Sequence, residues 1–299
     1  MSTIALRPRS VGEILDGAFQ LYRSKFVALV LVAAVGSAPI SIASSALMGL
    51  GGDVGSATVI IVGLLSLAAL IPLALVYGAL TYATARAAEG HEFRVGEAYA
   101  RSVRAFPALV GAGILSIFVG MLALLTGVAA GAVIALPFAG LGLLFGGGSA
   151  VAEGILFFSA FFIGMFLGPA LAAIWLFAVL PVIVVERRGP IAGVVRSFEL
   201  SRGGRFKIFG VFSIALMIVA LPGMALSMMF LTPAALMDPA ASASLPAMTV
   251  ALSSLGNFVA SVLTTPYLIA CVVLLYFDRR VGTEALDLER AVESLAEPA

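Results

Sequence analysis

The feature that most constrains this chain is how far it runs without charge. No Asp, Glu, Lys, Arg or His lies between Arg104 and Glu153, between Glu153 and Glu186, or between Lys207 and Asp238. A helix of about 20 apolar residues crosses the hydrocarbon core of a bilayer, and each of these intervals is longer. Soluble domains carry about 25% charged residues. This 299-residue chain carries 11%, with 62% hydrophobic residues and a mean hydropathy of +1.15. The runs are continuously apolar rather than alternating, unlike the strands of a membrane barrel. The expected fold class is therefore all-α, a polytopic membrane helical bundle in one domain over residues 1–299. The net charge of +1 gives no long-range field of the kind that attracts nucleic acid.

Six transmembrane helices are expected, at about 26–49, 57–85, 106–135, 154–182, 207–231 and 250–276. All 17 Lys and Arg precede the first span, flank the second or fourth connection, or follow the last span. The other three connections carry only Asp53, Glu153 and Asp238. Basic residues are retained on the cytoplasmic side during insertion, so both termini are expected there, in the cell membrane. Residues 105–152 are long enough for two spans, but two would invert half of the basic clusters. One long helix ending near Pro137 keeps the parity. The Gly-rich stretch 138–150 then becomes an outer loop or a shallow re-entrant segment packed on protein. The first apolar run starts at Phe26, behind a patterned segment with Glu13 and Asp16, which is unlike a cleavable signal.

Three cytoplasmic segments share a pattern: VGEILDGAFQLYRSKF (11–26), VGEAYARSVRAF (95–106) and IAGVVRSFELSRGGRF (191–206). Each has an apolar stripe at helical spacing and a charged opposite face, directly before a span. That arrangement predicts an amphipathic helix lying in the membrane interface. The Val-Gly-Glu and Arg-Ser pairs they share predict a threefold internal repeat of interfacial helix, outward span, acidic turn and returning span. A further short cytoplasmic helix is expected at about 283–296, capped by Thr283. Its acids, with Asp278, are placed to pair with the cytoplasmic arginines as a structural collar.

The segments LRPRSVGEILDGAFQLYRSKF (6–26), GPIAGVVRSFELSRGGRFKIFG (189–210) and LYFDRRVGTEALDLE (275–289), taken in order, resemble the glycerophosphoryl diester phosphodiesterase membrane-domain family. The resemblance covers nearly the whole chain. It implies a bacterial membrane domain of about six spans. The resemblance is to the membrane region only, and the catalytic phosphodiesterase domain that gives the family its name is not expected within these 299 residues. That domain needs a His-Arg-Gly start, a second His and metal-binding acids, whereas this chain has one His, His91, followed by Glu92.

No catalytic, cofactor or metal site is expected. Metal sites need clustered His, Cys or carboxylates, and a nucleophilic triad needs an oriented base. His91 reads as a solvated turn residue and Cys271 as a small packed hydrophobe. Two places carry candidate interactions. Arg196, Arg202, Arg205 and Lys207 would lie at headgroup level and contact anionic lipids, at about 1 kcal/mol each. Asn257, Ser261 and Thr264, in the most polar span, form a candidate intramembrane polar path, against the plainer reading that they bond neighbouring helices or their own carbonyls. The motifs Gly127-x-x-x-Gly131 and Gly164-x-x-x-Gly168 allow close helix approach, within the bundle or at a dimer seam. The expected function is that of a non-enzymatic, lipid-interacting or scaffold membrane protein, with membrane lipids as partners. The cytoplasmic face is the place for a protein partner or a second copy. The alternative is a transporter or flippase for a lipid-like or small apolar substrate.

Overall fold

A computed structural model describes residues 9–49, 56–145, 150–237 and 247–296. Asp53, Asp238, residues 146–149 of the Gly-rich stretch, and the side chains of Glu153 and residues 285–296 lie outside the described set. Within that set the helices are α1 (Val11–Ser24), α2 (Phe26–Gly49), α3 (Ser56–Ala88), α4 (Val95–Phe145), α5 (Ala150–Leu176), α6 (Val179–Val185), α7 (Pro190–Ser201), α8 (Arg205–Met237) and α9 (Ala247–Ala296). No strand is present among the described residues. Five helical stretches are long and apolar enough to cross a membrane, or six when α1 and α2, which meet at 84°, are counted as one span.

Helix α1 starts on a capping box. The Glu13 amide donates to Ser10 Oγ at 3.2 Å, and the Ser10 amide donates to Glu13 Oε2 at 2.7 Å. Two orphan donors of the first turn are thereby satisfied reciprocally. Its apolar stripe is not left for lipid. Ile14, Leu15 and Ala18 are buried against Cys271, Leu274 and Leu275 of α9 and against Ile208 and Val211 of α8. The α7 stripe is divided, with Val194 buried beside Ile183 while Ile191 and Val195 stay exposed. Periodicity shows that a face is buried, not what buries it. Here the spans themselves supply much of the partner surface that a lipid interface was expected to supply.

Helix α9 is the hub. One face, with Tyr267, Ala270, Cys271 and Leu274, closes the core with α1 and α8. The other, with Val262, Ile269 and Val273, closes a second core with Leu29 and Val32 of α2 and Val76 and Leu80 of α3. Cys271 is buried and unpaired. A third core joins Leu109 and Ala112 of α4 to α6 and Val194 of α7.

Helices α4 and α5 form an antiparallel hairpin whose backbones touch. A Cβ on Gly127 would stand 2.3 Å from the Gly164 carbonyl oxygen, and one on Gly168 would stand 2.0 Å from that of Ala123. The two small-xxx-small motifs therefore mate with each other. In hydrocarbon, where apolar burial gives no net drive, such close packing is what holds helices together.

Three expectations change. The segment 95–106 is no separate interfacial helix; it runs without a break into α4, through Pro107. That same helix continues past Pro137 to Phe145, so residues 138–145 are helical rather than loop. The separate helix expected at 283–296 is the continuation of α9. Thr283 does not cap it, because its hydroxyl bonds back to the Arg279 and Arg280 carbonyls at 2.9 and 3.2 Å, as Ser and Thr do inside helices. In contrast, the fourth span is broken at Phe177–Ala178. Pro181 of α6 lacks the N–H that would bond Phe177, and its ring crowds that carbonyl.

Candidate functional site: a basic end and a groove between α8 and α9

Ser197 of α7 repairs the α5–α6 break. The Ala178 amide donates to Ser197 Oγ at 3.0 Å, and Ser197 Oγ donates to the Trp175 carbonyl at 2.7 Å. Ser197 is fully buried. Ser102, the other serine of an Arg-Ser pair, is also fully buried and donates to the Leu75 carbonyl of α3 at 2.8 Å. Each serine thus fastens its helix to the span that precedes it in the chain.

The four candidate headgroup residues do not act alike. Arg196 is bound within the protein, 2.8 Å from Glu284 of α9, 3.4 Å from Glu199 and 3.8 Å from Glu186. Lys207 Nζ lies 2.5 Å from Asp278 Oδ2. Asp278 is buried and also accepts the Arg9 backbone amide at 2.6 Å, so α1, α8 and α9 are tied at one carboxylate. A buried pair of this kind tolerates replacement of both partners far better than loss of one. Arg202 and Arg205 are exposed, and neither has an ion pair among the described residues. Phe206, the residue after Arg205, is 95% exposed. An exposed phenyl next in the chain to an exposed arginine suits a surface that is apolar just below an anionic layer.

The Ser201-Arg202-Gly203-Gly204 turn does not present a ring of free amides. The Arg202 and Gly204 amides donate to Glu199 and Ser201 carbonyls. The turn's carbonyl side is taken by Arg279, which donates to Leu200 O at 3.0 Å and Arg202 O at 2.7 Å. This satisfies the carbonyls at the end of α7. A Cβ on Gly204 would lie 2.5 Å from the Arg279 guanidinium carbon, so any larger residue here would push that side chain aside.

Glu186, which closes one of the uncharged runs, lies at the end of α6 and is not among the expected site residues. It accepts Tyr276 Oη at 2.8 Å and pairs with Arg188 Nε at 2.8 Å. The available signal was a lone acid closing an uncharged run and facing a row of arginines. Glu284, Arg196, Arg280 and Glu186 together knit α6, α7 and α9 at this end.

The other candidate set comes together. Asn257, Ser261 and Thr264 line one groove of about 410 Å³ with Val219, Ala220, Gly223 and Met224 of α8. That volume is within the range of small-molecule sites, about 300–1,000 Å³. Ser261 Oγ donates to Phe258 O at 3.1 Å and Thr264 Oγ1 to Ala260 O at 2.7 Å, so both hydroxyl protons are spent on their own helix. Among the described residues no three His, Cys, Asp or Glu side chains converge as a metal site.

The chain was compared with family models, curated proteins and solved structures: no family model matches, no curated protein matches and no solved structure matches.

Proposed function

We propose that this is a non-enzymatic, multi-pass protein of the cytoplasmic membrane, a lipid-interacting or scaffold module of six spans with both termini cytoplasmic. Its basic end would hold anionic headgroups. The observation that carries this reading is the exposed Arg202, Arg205 and Phe206, whose two arginines have no ion pair among the described residues. The matching positions of Ser102 and Ser197, each bonded to the preceding span, support a repeated unit. In the first unit α1 packs on α9. The likeness to the glycerophosphoryl diester phosphodiesterase membrane-domain family belongs to this proposal and rests on the three motifs quoted above. Arg202→Glu/Arg205→Glu tests it: association of the purified protein with phosphatidylglycerol vesicles should fall by tenfold or more, on the order of 1 kcal/mol per residue before reversal is counted. Unchanged association would refute the reading.

A second reading has its own observation, the groove at Asn257, Ser261 and Thr264. A transporter or flippase for a lipid-like or small apolar substrate would use it as a lateral path. Asn257→Leu would then abolish flux in reconstituted vesicles, whereas a scaffold tolerates it.

A further inference from the structure

Arg86, Arg101, Arg104 and Arg187 come from three separate stretches of sequence: the end of α3, the start of α4 and the α6–α7 connection. The fold brings these stretches together. Arg101 donates to the Val184 carbonyl, three residues before Arg187, and the Tyr82 hydroxyl, one turn before Arg86, donates to Glu97, one turn before Arg101. Arg101 is half-buried, and Nη2 donates to the Val184 carbonyl at 3.1 Å. Its other N–H groups have no partner among the described residues. Arg86 Nε is buried with no hydrogen-bond partner. Arg104 and Arg187 are exposed and carry no ion pair among the described residues. The acid on the same helix face, Glu97, is turned to the Tyr82 hydroxyl at 2.5 Å, and Glu186 is engaged by Arg188 and Tyr276. Arg187 is moreover held at φ 59°, a left-handed conformation that a branched or long side chain adopts only at a cost.

We propose that these four arginines form a binding site for a phosphate group, separate from the exposed Arg202–Arg205 surface. Several guanidinium forks with free donors, one of them buried and unsatisfied, match the oxygens of a phosphate through charge-assisted hydrogen bonds. An anion here removes both the mutual repulsion of the arginines and the unmet donor at Arg86. The chemistry is common to a phospholipid headgroup and to free phosphate. The site deepens the reading of this end of the molecule as the anion-facing one, and rests on it.

The test titrates the purified full-length protein in detergent with dioctanoyl phosphatidylglycerol, then repeats the titration in the presence of inorganic phosphate. Arg104→Gln/Arg187→Gln removes two exposed groups without internal partners, so the fold is kept. Its affinity for the lipid should fall at least about tenfold, the loss of one charge-assisted bond or more. Displacement of the lipid by inorganic phosphate assigns the site to phosphate from either source. Tight lipid binding that phosphate does not displace, still weakened in the variant, assigns it to the lipid phosphodiester. Arg187→Gly gives an independent check, since glycine takes the left-handed conformation without strain: its melting temperature should rise while lipid affinity falls. Undiminished affinity in both variants overturns the site. Vesicle association of Arg202→Glu/Arg205→Glu, measured beside them, reports on the surface contact alone, so the two ideas fail separately.

Discussion

Single residues at the basic end are balanced in pairs, and the balance predicts what their loss does. Lys207 and Asp278 form a shielded pair in which the Asp278 side chain is only 2% exposed. Lys207→Met leaves that carboxylate uncompensated, at an expected cost of about 3–5 kcal/mol. The double change Lys207→Met/Asp278→Leu should recover most of it, apart from the lost acceptor for the Arg9 amide. Thermal denaturation in detergent of these two variants and of Asp278→Leu measures the coupling. Ser197→Ala leaves the Trp175 carbonyl and the Ala178 amide unmet at a helix break, for an expected loss of about 1–3 kcal/mol on the same assay. Arg187 runs the other way. Replacing it by Gly removes a left-handed strain of about 1–2 kcal/mol and adds back part of it as chain entropy. The expected gain in stability is below about 1 kcal/mol, and the expected consequence for phosphate binding is a loss. Tyr22, by contrast, is a fixed fastener. Burial raises its pKa above the usual phenol value, which keeps it a neutral donor to the Leu263 carbonyl at 2.8 Å.

At the scale of the elements, helix ends are where the sequence speaks least plainly. The uncharged stretches mark the helical cores: the run from Phe26 becomes α2, Phe26–Gly49. The terminal signals are weaker than the continuations. Thr283 resembles an N-cap, yet its hydroxyl is equally content on the carbonyls of its own helix, and Asp278, Arg280 and Glu284 find partners that carry α9 onward. Pro137 likewise does not end α4, while Pro181 does break the fourth span, because a buried serine stands ready to take the freed groups. That serine lies on another helix, so no local window contains the reason. The α4–α5 hairpin was more legible. Its four glycines are spaced for close approach, and they meet one another. Gly164→Val would drive a side chain into the Gly127 carbonyl, 2.2 Å from the added Cβ. The hairpin should open, lowering stability by about 1–3 kcal/mol, and spin labels on the two helices should report a wider separation.

Across the whole molecule, α9 joins two cores while α4 and much of α8 turn apolar side chains outward: Ile117, Phe118 and Leu122 on α4, Met217 and Leu221 on α8. Those outward faces are what a bilayer would cover. The described basic residues then collect at one end, as the spacing of charge in the sequence foretells. What the sequence does not disclose is which arginines are spent. Arg196 and Lys207 looked as available as Arg202 and Arg205 until α9 brought Glu284 and Asp278 beside them. That Arg187 of the fourth connection lies near the arginines flanking the second is likewise not legible along the chain, since it depends on α4 reaching the end of α6.

The central claim is that the basic end never crosses the membrane, and cysteine labelling tests it most directly. With Cys271 replaced by Ser, single cysteines are placed at position 53 and at position 202 and exposed to a membrane-impermeant maleimide on intact cells. Position 53 should react at once, and position 202 only after the membrane is permeabilised. Labelling at 202 in intact cells, with 53 protected, would contradict the topology and every lipid contact built on it.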